Sequence, residues 1–407
     1  MAGLAYADAR GRVYFDEDTA PLADGGVVRA PLARELIRAP RGTVPAMLPG
    51  RRPLVLGARG EVRVERRRTA LAALLPAGYT RLLLPAYRAD DGAPPLPLFG
   101  YTFACERGDE LYVAATRTDE AETWTPRYFA AGELERAVGA LRAGDPRNRV
   151  LAQLSVCALE YGCFTAQNVF LGAGEAALPV SPACNARCVG CISELDEDAG
   201  FPSPQTRIAY EATAAEVARI AVAHLAGAPG AIVSFGQGCE GEPLLRATTI
   251  ARAVELIRAA GAGGVVNCNT NGSLPRSLST LIDAGLDAVR ISLNSFRPEV
   301  YAAYYRPRGY TLDAVFESIR IASRAGLRVS LNLLTHPGVT DERAEIDAME
   351  QFLAGVRVDM IQTRTLNVDP EIYFAAVGRP AEPLGMRFAL ERVRAHGVRV
   401  GNFTHTH

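Results

Sequence analysis

From residue 176 onward, short apolar runs alternate with longer stretches whose apolar residues recur every three or four positions. The runs at 176–180, 231–235, 264–268, 288–293, 328–333 and 359–364 read as strands. Between them the spacing predicts helices at 213–226, 244–260, 274–284, 298–305, 311–325 and 341–354. Thr213 opens the first of these with Glu216 three residues on, a capping-box signature. Six strand–helix repeats predict a parallel sheet with helices outside, and in parallel barrels chemistry gathers at the C-terminal ends of the strands.

The flanking regions have a different texture. Residues 1–130 hold short extended runs punctuated by Pro and Gly, among them a hairpin over 4–14, a run at 81–85 and another at 110–114. They predict a small α+β accessory domain without a catalytic motif, and Arg66, Arg67 and Arg68 read as a solvated surface. Residues 131–175 read as a helical connector, with one helix from Gly132 and a second over 147–168. The second carries Cys157 and Cys163 on different faces unless it breaks near Gly162. The repeats then occupy 176–370, and 371–407 adds a helix over 384–395 and an extended tail. The final His405 and His407 read as a frayed terminus.

Composition narrows the classes. The 407 residues are 48% hydrophobic and 22% charged with a net charge of −1, an ordinary soluble balance without the basic footprint of nucleic-acid binding. The chain contains no lysine, which excludes Schiff-base and P-loop lysine chemistry. No run of 18 apolar residues occurs and the first residues do not resemble a signal peptide, so no membrane partner and a cytoplasmic location are expected. Eight cysteines in such a chain point to metal or chemistry before disulfides.

Three of those cysteines lie in one short loop, Cys184-Asn185-Ala186-Arg187-Cys188-Val189-Gly190-Cys191. Three thiolates spaced C-x3-C-x2-C can bind three corners of a cubane iron–sulfur cluster. Structural zinc is the competitor, but it wants four ligands, usually in two separated pairs, and no fourth Cys or His lies close by. Further motifs end the later strands. Gly238-Cys239-Glu240-Gly241-Glu242-Pro243 offers close backbone approach and acidic acceptors for an ammonium. Asn269-Thr270-Asn271-Gly272, Ser292 with Asn294, and Asn332 through Asp341 close the next three. His336 is a candidate acid or base against a plain loop histidine, and Gln362, Arg364 and Asn367 lie toward the mouth.

On these residues the sequence resembles the radical S-adenosylmethionine (radical SAM) superfamily over roughly 176–367, about half of the chain. The resemblance implies a partial (β/α)6 TIM-like barrel. It implies a [4Fe-4S] cluster on Cys184, Cys188 and Cys191, with S-adenosylmethionine chelating the open iron through its amino and carboxylate groups. Gly241-Glu242-Pro243 resembles the family's G-G-E-P motif, here stretched by Cys239 and Glu240, which leaves open which glutamate acts. Thr270-Asn271-Gly272 resembles its T-N-G turn, and Asn332 begins a stretch similar to its N-x-x-x-x-x-G-V-x-D pattern. The cofactor-binding set so implied is Gly238, Glu240, Gly241, Glu242, Pro243, Asn269, Asn271, Ser292, Asn294, Asn332 and Arg364. One departure is Gly190, where the family often has an aromatic residue near the adenine.

The activity implied is reductive cleavage of S-adenosylmethionine to a 5′-deoxyadenosyl radical, which abstracts hydrogen from a peptide, protein or small-metabolite substrate. An external electron donor such as flavodoxin or ferredoxin is then a partner. A glycyl-radical activase is a narrower alternative, and a non-catalytic iron–sulfur carrier or sensor a different class. A second iron–sulfur cluster on Cys105, Cys157, Cys163 and one distant thiol competes with the reading of those cysteines as buried small hydrophobes. Cys239 and Cys268 are left open between ligand and spectator.

Overall fold

The computed structural model describes residues 2–119, 129–228, 230–365 and 368–402. Seven parallel strands follow one another across a single sheet in chain order: Glu175–Ala177, Ile232–Phe235, Val265–Thr270, Ala288–Leu293, Arg328–Thr335, Met360–Thr365 and Arg399–Gly401. The seventh was not among the six strands expected. It forms from the extended tail, which pairs beside the sixth strand from Met360↔Arg399 to Gln362↔Gly401. The first strand is shorter than its apolar run. Beyond Leu178 the N–H groups of Val180 and Ser181 leave the ladder and donate to the Glu240 carboxylate at 2.7 and 2.8 Å.

The sheet is curled. Arg290 of the fourth strand reaches both carboxylate oxygens of Glu175 on the first at 3.3 Å, although strands three places apart in a flat sheet are separated by about 14 Å. Outward-facing Val266, Cys268, Ile291 and Leu331 are all fully buried in the main core with the flanking helices. Those helices begin as the sequence dictates. Thr213 caps Ala214–Gly227 by accepting from the N–H of Glu216, whose side chain accepts from Thr213 in return. Pro243 opens a 3₁₀ turn, Pro243–Arg246, before the helix Ala247–Ala259. The Cys157 helix does break. Arg149–Leu159 ends, Gly162 takes φ = +61°, and Cys163 sits at the N-cap of Phe164–Leu171.

Among the described residues before Glu133 there is no α-helix, only the 3₁₀ turn Ala33–Glu35. The described residues of the N-terminal region form β-structure, without the helices of the α+β domain expected: an eight-stranded antiparallel sheet with two three-stranded ones. Its Pro and Gly residues keep each run to seven residues or fewer, too short for a stable helix but enough for paired strands. Arg68 is not simply solvated, since it pairs with Asp16 and lies over the Tyr6 ring at 4.4 Å.

This β region packs on the late strands of the parallel sheet. Arg51 makes a buried ion pair with Asp369 at 2.8 Å, and the same carboxylate accepts from the N–H of Leu96 at 2.8 Å. The hydroxyls of Thr80 and Thr363 are in hydrogen-bond contact, and Arg81 donates to the Thr335 carbonyl at 3.3 Å.

Candidate active site at the mouth of the parallel sheet

A cavity of about 600 Å³ opens at the C-terminal ends of the first six parallel strands. A cleft of about 570 Å³ lies elsewhere, lined by residues 353–359 and 396–399, and holds none of the predicted residues.

The cysteine loop forms one wall. It is held as a unit by its neighbours: Gly241 N–H donates to the Ser181 carbonyl (2.7 Å), Glu242 N–H to that of Ala183 (2.8 Å), and Arg187 and Val189 N–H to those of Tyr305 and Tyr304 (3.0 Å each). Asn185 donates to the Ser273 hydroxyl and accepts from Asn271, both at 2.9 Å. Gly241 must be glycine for this packing, because a Cβ there would stand 2.0 Å from the Ala183 carbonyl oxygen.

Cys184, Cys188 and Cys191 are half-buried and all line the cavity. Burial pushes the Cys184 thiol up to about 11 and the Cys188 thiol well above its ordinary value, with the charges of Cys191 and Cys184 adding to the latter. Arg207 donates to Cys191 Sγ at 3.5 Å while pairing with Glu194. Among the described residues no three His, Cys, Asp or Glu side chains converge on a point that would hold a single metal ion. A cubane gives each cysteine its own iron, so its ligands need not converge, whereas tetrahedral zinc needs four that do. The donor set therefore fits an iron–sulfur cluster and does not fit structural zinc.

The two glutamates separate clearly. Glu240 accepts four backbone N–H groups: Val180 and Ser181 on one oxygen, Gly236 (2.6 Å) and Gln237 (2.9 Å) on the other. Its acceptor positions are filled, and its work is to tie the second strand's end to the cysteine loop. Glu242 accepts from Leu244 N–H (2.9 Å), Asn271 N–H (2.8 Å) and the Thr270 hydroxyl, which leaves one position on Oε2 toward the cavity. Burial pushes both carboxyls up to about 7 against the N–H donors, which favour the ionised form.

The floor is polar because alternate residues point inward. Ser234 donates to Glu175 (2.5 Å) and accepts from Asn267 (2.9 Å), and Asn269 donates to the Gly236 carbonyl (3.1 Å). Ser292, Asn332 and Gln362 stand in register on three adjacent strands. Arg364 donates to Asn332 Oδ1 at 2.7 Å and Gln362 Oε1 at 2.9 Å.

The structure thus brings together every predicted cofactor residue except one. Asn294 is fully buried away from the cavity and donates to the Val300 carbonyl and the Tyr373 hydroxyl, both at 3.2 Å. Two positions on from Ser292 the strand has ended, so the alternation that would turn it inward no longer applies. His336 is the plain loop histidine of the two readings: it directly follows the fifth strand and does not line the cavity. It is buried with its ring 4.7 Å from those of Tyr373 and Phe374, and burial holds it neutral. Asn367 and the terminal histidines lie outside the described residues. The set entertained for a second cluster is not assembled. Cys105 sits in the N-terminal core with Phe103 and Ala114, whereas Cys157 and Cys239 lie close enough to influence each other's charge, with Cys163 also acting on Cys239. Cys268 points outward into the core, not to the cavity.

Sequence reading missed Glu175 and Arg290, whose partnership spans strands 115 residues apart, and the aromatic wall. Tyr304 and Tyr305 line the cavity beside Ile192. The Tyr304 hydroxyl lies 3.0 Å from where a Gly190 Cβ would be. Gly190 is the counterpart of that ring, and the tyrosine pair closing helix Pro298–Tyr305 was the available signal.

Residues 178–349 match the family model described as the Radical SAM superfamily. The chain carries a radical SAM domain, and the cofactors that go with it are a [4Fe-4S] cluster and S-adenosylmethionine. Among curated proteins, it is 39% identical over 111 residues to a probable GTP 3′,8-cyclase of Methanosarcina acetivorans, covering 26% of this chain and 33% of that one. It is 27% identical over 246 residues to the FeMo cofactor biosynthesis protein NifB of Klebsiella pneumoniae, covering 56% and 51%. The chain spans about half or less of the length of these relatives. Among solved structures, a radical SAM methyltransferase from Sphaerobacter thermophilus aligns with a TM-score of 0.40 at 14% identity, over 56% of this chain and 64% of that one.

Proposed function

We propose that this chain is a radical SAM enzyme that cleaves S-adenosylmethionine and abstracts hydrogen from a substrate held in the 600 Å³ cavity. One observation carries the reading: the three thiols, the Glu242 turn and the polar row of Ser292 and Asn332 line a single cavity. A protein that only carried electrons would need the cysteine loop but not the rest.

When bound at Cys184, Cys188 and Cys191, the cluster supplies the electron that splits the sulfonium and leaves a 5′-deoxyadenosyl radical. The chain's residues do the positioning. Glu242, with its open acceptor, takes an N–H of the methionine ammonium. Gly238, Gly241 and Pro243 shape the turn around it, and Glu240 fixes that turn to the cysteine loop. Asn269, Asn271, Ser292 and Asn332 offer donors and acceptors to the ribose and methionine portions. Tyr304, Tyr305 and Ile192 give the apolar surface that a side chain at 190 does not. An external one-electron donor completes the cycle. The names of the curated relatives support an enzyme; their substrates remain theirs.

The test is anaerobic reconstitution followed by iron and sulfide analysis and by 5′-deoxyadenosine measurement with dithionite and S-adenosylmethionine. About four irons per chain with slow 5′-deoxyadenosine release, both lost in Cys188→Ala, support the reading. Glu242→Ala should keep its iron yet lose S-adenosylmethionine affinity. Zinc in place of iron, or iron without any cleavage product, would overturn it.

A further inference from the structure

Six charged side chains line the cavity: Glu175, Arg207, Glu240, Glu242, Arg290 and Arg364. Five are answered by partners. Arg207 pairs with Glu194 and Arg290 with Glu175, while Glu240 and Glu242 are surrounded by N–H and O–H donors. Arg364 differs. Its three contacts are neutral: Asn332 Oδ1 at 2.7 Å, Gln362 Oε1 at 2.9 Å and the Asn402 carbonyl at 3.3 Å. Among the described residues, no carboxylate makes an ion pair with it. Each nitrogen uses one N–H, so Nη1 and Nη2 each keep another. Burial, with the charge of Arg290 next, pushes the guanidinium down to about 10, which leaves it charged at neutral pH. The charges of Glu175 and Asp119 favour the cation without making an ion pair with it. A buried cation with no carboxylate in direct contact is costly, and this one is held by acceptors from three segments.

We propose that Arg364, with Arg290 nearby, binds an anionic group of the substrate, a carboxylate or a phosphate. A guanidinium with one N–H spare on each terminal nitrogen matches two oxygens of either group. The inference rests on the radical SAM reading for one step: the single carboxylate of S-adenosylmethionine is taken by the open iron, so a second anion must come from the substrate. Location agrees. Arg364 lies on the sixth strand, and the adjacent Thr365 abuts Gly100 of the β region, 2.5 Å from where a Cβ would stand. The cavity itself is lined by residues between Thr165 and Thr365, and an anion site there moves Arg364 from the cofactor set to the substrate set.

The experiment uses the full-length reconstituted protein and two probes, inorganic pyrophosphate and succinate, titrated by calorimetry with and without saturating S-adenosylmethionine. At least one probe should bind wild-type protein with S-adenosylmethionine present; the tighter one tells phosphate from carboxylate. Arg364→Met should weaken it at least about tenfold, the loss of one charge-assisted bond or more, while S-adenosylmethionine affinity changes less. Arg364→Lys should recover part of the binding. The inference is overturned if neither probe binds, if S-adenosylmethionine displaces the probe, or if Arg364→Met lowers cofactor affinity as much as probe affinity. The wild-type competition needs no variant, so a misfolded Arg364→Met leaves the test intact. Probe binding without 5′-deoxyadenosine formation would sink the enzyme reading alone; the converse would sink only the anion site.

Discussion

The ion pair between Arg51 and Asp369 is the sharpest place to perturb the contact between the β region and the parallel sheet. Its side chains are 3% and 2% exposed, and the distance is 2.8 Å. Asp369 has two further duties: it accepts from Leu96 N–H at 2.8 Å and caps helix Pro370–Val377 by accepting from Glu371 N–H at 2.9 Å. Asp369→Leu leaves Arg51 only the longer contact with the half-exposed Glu371 at 3.8 Å, a loss near the lower end of the about 3–5 kcal/mol for a buried pair broken on one side. Arg51→Met is milder, because Asp369 keeps its two N–H donors. The pair itself, desolvated on both sides, is worth less than either truncation suggests, so the double variant should be more stable than the sum of the singles. Apparent Tm at a single scan rate reads this. At about 2–4 °C per kcal/mol for domains of this size, Asp369→Leu should fall by about 10 °C, and the double variant should recover a good part of it. Additivity within about 0.5 kcal/mol would refute the claim that these charges answer each other and would assign the cost to the cap and the Leu96 bond.

Two other outcomes follow from particular contacts. Gly190→Phe should lose most of its iron uptake, since the new ring and Tyr304 cannot share one space; adding Tyr304→Ala should restore it, and wild-type iron content in the single variant would contradict the packing. Arg149 holds the Glu216 carboxylate well below its ordinary 4.5, so this stabilisation is present above about pH 4.5 and is lost as pH falls through the depressed value. Glu216→Gln keeps the capping box but not the charge. With Arg149 47% exposed, it should cost about 1 kcal/mol at neutral pH, a gap that narrows steadily as pH falls below about 4.5 in a Tm series; a constant gap would mean that the charge is irrelevant.

Much of the core was legible because one period governs each element. The fourth strand runs from Ala288 to Leu293 and the following helix from Pro298 to Tyr305, the limits read from the apolar pattern and the Pro at the helix start. The pattern failed where the ladder's donors found partners outside it. Val180 looks like strand but gives its N–H to Glu240. The seventh strand is three residues long, below what periodicity can register, and exists because the sixth strand offers it an edge.

For the site, motif residues were readable and partners were not. The cysteine loop and Glu242 sit in turns that follow a strand, which local sequence announces, and Asn332 lies within the fifth strand as its alternation predicts. Glu175 and Arg290 are unremarkable letters within apolar runs, and only the curl of the sheet brings them together. The same holds for the choice between the two glutamates. Sequence offers Glu240 and Glu242 as near equals, yet one is saturated by four N–H groups donated from two strand ends and the other keeps an open acceptor. What separates a structural carboxylate from a ligand-binding one is the count of donors around it, a property of the assembled backbone. The same count, applied to the cations that line the cavity, sets Arg364 apart from Arg207 and Arg290, which have carboxylate partners.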